Sequence, residues 1–244
     1  MKRVLVLLAA CGGAQRPAGD DHWIEGRFHS AQLDAYWQTV GGVRWGVALN
    51  ERGYEVNYVD GTPRTLVSLD SGDRPTKFVQ QNADGERIDF GSSAGHVRVT
   101  RLANGWRGEF LVPDGPAVAF EVERADLPRV PAIEQADLAF AADTAKDGAD
   151  GWARHFDEHG AMWGRDHRIE GAAIKETIAK TFAAGTLTWR PVTSGARGEL
   201  GFTLGTAEYT EPGGTPERET YCTIWKHEAD GSWKVLFDVG RPAV

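Results

Sequence analysis

The chain is poor in cysteine and has no surplus of positive charge. Cys11 and Cys222 are the only cysteines in 244 residues. There is therefore no CxxC pair and no disulfide-dense scaffold. No Gly-rich phosphate loop and no heptad run occurs. Lys and Arg number 27 against 35 Asp and Glu, a formal charge of −8. An acidic, unclustered surface excludes the basic footprint that nucleic acid needs, and equally a basic patch for anionic lipid. The apolar run Val4 to Ala10 falls far short of the ~20 residues of a membrane-spanning helix.

What is present at the start is ordered in a specific way. MKRVLVLLAAC sets Lys2 and Arg3 before an apolar run that ends in small residues, as a secretory signal does. Leu8-Ala9-Ala10-Cys11 resembles the lipobox of bacterial lipoproteins. That resemblance implies a signal peptide over residues 1–10, cleavage before Cys11 and lipid (palmitate) on Cys11. Residues 11–21 (CGGAQRPAGDD) then read as a flexible tether. The competing expectation is a buried first strand, VLVLLAA. With the signal removed the chain becomes two charges more negative, so membrane attachment is expected through the lipid alone. The expected location is the bacterial cell envelope. A lipidated Cys11 leaves Cys222 without a partner, in a strand-like run where a free cysteine is usually inert core.

The whole chain holds thirty glycines and nine tryptophans. Over residues 22–123, short apolar runs alternate with turn signals at roughly ten-residue spacing. WGVALNERG, YEVNYVDG, HVRVTRLANG and WRGEFLVPDG are examples. That pattern predicts an antiparallel meander closing into an all-β barrel or sandwich. Its opening, HWIEGRF…YWQTVGGVRWGV, resembles uncharacterised β-rich bacterial domains, which implies no chemistry. GSSAG at 91–95 has the letters of a nucleophile elbow, but a strand follows it where a helix is required. The linker 124–131 carries two prolines, Pro128 and Pro131, and marks the domain boundary.

From 132 to 244 the pattern changes. AIEQADLAFAADTAKDG, GADGWARHFDEHG and GAAIKETIAKTFAAG read as three helices, each stopped at Gly. Long strands follow, so the expected class is α+β, with helices on one side of a curved antiparallel sheet. FAADTAKDGADGWARHF, LTWRPV, LGFTLGTAEY and TYCTIWKHEADGSWKVLFDVGRP resemble the SnoaL-like, ketosteroid-isomerase-like branch of the nuclear transport factor 2-like superfamily. The resemblance covers 132–242 and implies a cone of three helices on a curved sheet. A superfold of this kind hosts enzymes, ligand binders and interaction domains alike.

A cone implies a blind pocket. Its candidate liners are Trp152, Phe156, Trp163, Trp189, Tyr209, Tyr221 and Trp225, each of which equally suits a packed core. By the same resemblance, the isomerase base falls on Gly164 and the late-sheet acid on Trp225, neither of which transfers protons. The remaining weak candidates for a base are Asp166, His167 and Asp238. Strand alternation sets Asp238 with Leu236 and Lys234, opposite Trp233, Val235, Phe237 and Val239, and so predicts a structural charge. His155 and His159 stand i, i+4 in the expected second helix, and His167 offers a third ligand. A solvated helix end explains them as well, and no metal or cofactor is expected. The expectation is an envelope protein whose cone binds a small apolar ligand or a protein partner without catalysis. The alternative is an isomerase or cyclase acting on a small carbonyl or polyketide-like compound. A third possibility is pure interaction, including a homodimer through the open sheet face.

Overall fold

A computed structural model describes residues 22–51, 53–60, 64–72, 74–93, 95–111, 115–126 and 129–244. The signal peptide, the tether and Cys11 lie outside the described residues. The described residues form two compact units, 22–126 and 129–244.

The first unit begins with a short 3-10 turn, His22–Ile24. Ten strands follow: β1 (Arg27–Ser30), β2 (Ala35–Val40), β3 (Val43–Asn50), β4 (Gly53–Asp60), β5 (Thr65–Leu69), β6 (Thr76–Ala83), β7 (Arg87–Ser92), β8 (Gly95–Leu102), β9 (Gly105–Leu111) and β10 (Val118–Arg124). Each pairs antiparallel with the next, and β10 returns to β1, so the sheet closes. Closure leaves no edge strand to aggregate. Local turn chemistry drives the meander. Val40 pairs with Val43 across Gly41 and Gly42, whose φ of 55° and 84° suit a two-residue turn that matches strand twist. GSSAG lies in the hairpin between β7 and β8, where Ser92 pairs with Gly95.

Register decides which side chains enter the barrel. Trp37 stands opposite Gly46, Gly46 opposite Asn57, and Asn57 opposite Ser68. Leu66 stands opposite Phe78, Val97 opposite Phe110, Gly108 opposite Phe120, and Phe28 opposite Trp37. All of these share the inner face. Phe28, Ile88, Trp106 and Val122 pack one end of the interior, and Trp23 of the opening turn joins them. Trp23 donates its indole N–H to the Asp84 carbonyl at 3.4 Å, tying the turn across that end. Beyond this packed end the barrel holds a cavity of about 430 Å3.

The second unit runs α1 (Pro131–Asp147), α2 (Ala149–Arg154), β11 (Phe156–Trp163), β12 (Arg168–Glu170), α3 (Ala172–Ala184), β13 (Thr186–Arg197), β14 (Leu200–Thr210), β15 (Glu217–His227) and β16 (Trp233–Pro242). The sheet order is β12-β11-β16-β15-β14-β13. Ile133 and Phe140 of α1, Trp152 of α2, and Ile174 and Ile178 of α3 pack with Met162, Trp225 and Val235 of the sheet in one apolar core. Pro131 opens α1 at a position where a missing N–H costs nothing.

Three expectations are corrected here. The class is not α+β: 58% of the described residues are strand and 18% helical, because ten strands build a closed barrel. The molecule is mostly β and not a three-helix cone on a sheet. Nor is the second sheet purely antiparallel, since β11 runs parallel to β16. Finally, the second helix stops at Arg154. Phe156 already pairs with Val235, and sheet pairing takes over the segment FDEHG that was expected to be helical.

Candidate functional site

The site is built on the sheet face that packs against the helices. Trp225 pairs with Val235 and Ile224 with Phe237, so Leu236 is an extra residue, and β16 bulges there. The bulge turns the following residues over. Past it, Asp238 pairs with Thr223 and Gly240 with Tyr221. Asp238 therefore shares the helix-facing side with Thr223, Tyr221, Glu219 and Trp225. Across the sheet, Met162, Thr203 and Ala207 stand in register with Asp238, Thr223 and Glu219. The simple alternation that placed Asp238 with Leu236 and Lys234 fails at this one inserted residue.

Asp137 reaches the same face from α1. It is fully buried. Trp189 donates its indole N–H to Oδ1 at 2.8 Å, and the Tyr221 hydroxyl donates to Oδ2 at 2.8 Å. Thr203 adds a third hydrogen bond and itself accepts the Trp225 indole N–H at 2.9 Å. Burial raises the Asp137 carboxyl above its usual range, against the lowering effect of these donors. Burial first, and the neighbouring Asp137 second, push the Tyr221 hydroxyl well above its ordinary value.

Among the described residues Asp238 receives one hydrogen bond, from Thr223 Oγ1 at 2.7 Å. Burial pushes its carboxyl up to about 7, with smaller additions from Asp137 and Glu219 and an offset from Thr223. Burial also lifts Glu219 to about 7, helped by Glu217 and opposed by Arg241. Asp238 and Glu219 nevertheless keep part of their surface accessible. Protein closes around them while a path to solvent stays open. Three carboxyl groups and a tyrosine thus converge on one face, and two of the acids sit near neutrality. Such a set can take up and release protons at pH 7.

The other expected site residues are distributed differently. Trp152, Phe156, Trp189 and Trp225 surround Phe140, with ring centroids 4.6, 6.2, 4.9 and 6.2 Å from it. They form an aromatic core, in which each pair is worth about 0.5–1.5 kcal/mol beyond burial. Tyr209 and Tyr221 share the helix-facing side, and Trp163 takes the opposite side beside Val239. Gly164 packs beside Ile169, and a Cβ there would lie 2.9 Å from the tip of that side chain. Asp166 and His167 pair with each other at 2.8 Å in an exposed turn, away from the acid cluster. His155 caps α2 and pairs with Asp143 at 2.9 Å, while His159 is exposed on β11. The two histidines therefore share no helix face. Among the described residues no group of three His, Cys, Asp or Glu side chains is placed to hold a metal ion.

Asp137 and Glu219 were not singled out from the sequence. The one available signal was an acid in the middle of an otherwise apolar helix stripe. Cys222 is fully buried on the face opposite Asp238, and burial raises its thiol well above the usual value.

No family model matches the sequence, and no curated protein matches it. Solved structures are similar at low identity over about half of the chain. A ketosteroid isomerase-like protein from Erwinia carotovora atroseptica is 15% identical, with TM-score 0.42, over 47% of this chain and 95% of that one. A putative calcium/calmodulin-dependent protein kinase type II association domain from Thiobacillus denitrificans is 19% identical, with TM-score 0.40, over 48% and 98%. A putative ketosteroid isomerase from Shewanella frigidimarina is 9% identical, with TM-score 0.38, over 44% and 92%.

Proposed function

We propose that the second unit is an acid–base site for a small apolar carbonyl compound, with Asp238 as the group that takes and returns a proton. The convergence of Asp238, Thr223, Tyr221 and Asp137 on one helix-covered face carries this. A carboxylate at Asp238 removes a proton from the carbon next to the carbonyl. The charge that develops on the oxygen is met by the Tyr221 hydroxyl, turned to it from Asp137 Oδ2; burial pushes that hydroxyl well above its ordinary value, so it keeps its proton at neutral pH. The aromatic core around Phe140 gives the ligand an apolar neighbour. A base near pH 7 is half ionised in water at that pH, which suits proton transfer in both directions.

The test uses 2-tetralone in deuterated buffer, with α-proton exchange followed by NMR. The protein is expected to speed exchange with a midpoint near pH 7. Asp238→Asn is expected to lose on the order of 100-fold or more, and Asp166→Asn nothing. Binding of 2-tetralone without exchange would favour a pure ligand-binding role. Exchange that persists in Asp238→Asn would remove Asp238 from the site.

We also propose, from the sequence order at residues 1–21, that the chain is a lipid-anchored envelope protein modified at Cys11.

A further inference from the structure

The barrel of the first unit carries a second site, independent of the acid cluster. Its cavity of about 430 Å3 falls within the ~300–1,000 Å3 of small-molecule pockets. Well-packed interiors leave few voids larger than a water molecule. Two glycines shape this one. A Cβ at Gly46 would lie 2.6 Å from the Trp37 indole nitrogen, and one at Gly108 would lie 2.3 Å from the Phe120 ring. With hydrogen at both positions, the two rings lie against the wall and stack on each other, centroids 5.8 Å apart and planes 8° from parallel. Trp106 stands edge-on to both, at 5.0 and 5.9 Å. The result is a cavity with flat aromatic walls.

The polar groups are few and placed. Glu55 faces the interior by register, near the open end. One of its oxygens, Oε1, accepts from Ser68 Oγ at 2.7 Å and from Asn57 Nδ2 at 3.2 Å. A carboxylate has about four acceptor positions, so this one has capacity beyond its two neighbours. Deeper in, the Trp106 indole N–H is buried, lines the cavity and has no hydrogen-bond partner among the described residues. A buried donor of this kind costs free energy unless something meets it. Leu33 and Val118, 37% and 53% exposed, border the cavity at the end opposite Trp23, on a rim they share with the exposed Glu55 and Thr76.

We propose that the barrel binds a compact aromatic or polycyclic apolar molecule that carries one hydrogen-bond-donating amine or hydroxyl, with that group on Glu55 and the ring system against the aromatic wall formed by Trp37, Phe120 and Trp106. Entry is over Leu33 and Val118, because Trp23 and its turn close the other end.

The probe is N-phenyl-1-naphthylamine, which fluoresces in apolar surroundings and carries one N–H. Its partner is 1-phenylnaphthalene, of similar shape and without a donor. Titrated with the full chain, the amine is expected to give a saturable one-to-one signal. Ala48→Phe, which fills the cavity, and Thr76→Trp, at the exposed rim, are each expected to weaken it at least tenfold. Either one serves if the other does not fold. Glu55→Leu is expected to lower affinity for the amine about fivefold or more and leave 1-phenylnaphthalene unchanged. Three results would overturn the proposal: no saturable binding to the folded protein, full affinity in the folded filling variants, or equal loss of both probes in Glu55→Leu.

Discussion

Moving Asp238 from water to its place beside Thr223 penalises the ionised carboxylate more than the neutral acid. Its single neutral hydrogen bond does not offset that. The consequence for stability has a definite sign. Between its usual value of 3.8 and about 7, the folded chain holds a proton at Asp238 that the unfolded chain releases. Stability from this group is therefore fully present below pH ~4 and lost as pH rises through 7. The loss is on the order of 2 kcal/mol once solvent screening is allowed for. Urea unfolding at pH 4.5, 6 and 7.5 is expected to show the decline, and Asp238→Asn to show a shallower one, with Glu219 supplying what remains. An unchanged slope in Asp238→Asn would place the proton elsewhere. Tyr221 poses a different question at the same scale. Tyr221→Phe removes the hydroxyl that satisfies Asp137 Oδ2. It leaves a buried acceptor short of a donor and is expected to cost about 1–3 kcal/mol in urea unfolding, while raising the Asp137 carboxyl further.

At the scale of elements, the strands of the barrel were legible and the faces of the second unit were not. Turn residues such as Gly41-Gly42 announce a hairpin locally, because only a positive φ closes so tight a loop. Leu138 is among the most apolar residues of the segment read as the first helix, yet α1 buries Ile133, Asp137, Phe140 and Thr144 and leaves Leu138 43% exposed. Hydrophobicity alone does not find that face, because its acid, Asp137, is held by Trp189 and Tyr221, far along the chain. The β16 bulge is invisible for a related reason. One extra residue, Leu236, reverses the face of Asp238, and only pairing with β15 reveals it. The barrel interior shows the same dependence on partners. Gly108 lies inside the strand-like run WRGEFLVPDG, where the sequence does not show that it sits mid-strand beneath Phe120. Gly108→Ala is expected to cost about 1–3 kcal/mol by overpacking. Adding Phe120→Leu is expected to recover most of that loss in thermal melts, since the two sites touch and couple. Equal destabilisation with and without Phe120→Leu would mean that the methyl group clashes with backbone and not with the ring.

For the molecule as a whole, the balance of strand and helix could not be read from the second half alone. The helices there are real, but a closed ten-strand barrel outweighs them. Each unit offers a small molecule a different chemistry: one fixed carboxylate in an aromatic barrel, and a cluster of near-neutral acids under a helix layer. Where such a molecule would be met depends on residues 1–21. No helix among the described residues is long and apolar enough to cross a membrane. The formal charge of −8 gives no attraction to anionic lipid. If the proposal for Cys11 holds, attachment depends on its acyl chains, each buried methylene adding about 0.8 kcal/mol. The full chain produced in a bacterial host with labelled palmitate is expected to carry label and to enter the detergent phase on Triton X-114 partition. Cys11→Ala is expected to lose both, whereas Cys222→Ala keeps both, because Cys222 is fully buried. Label retained in Cys11→Ala would place the modification elsewhere. An unlabelled wild-type chain in the aqueous phase would return VLVLLAA to its competing reading as a strand.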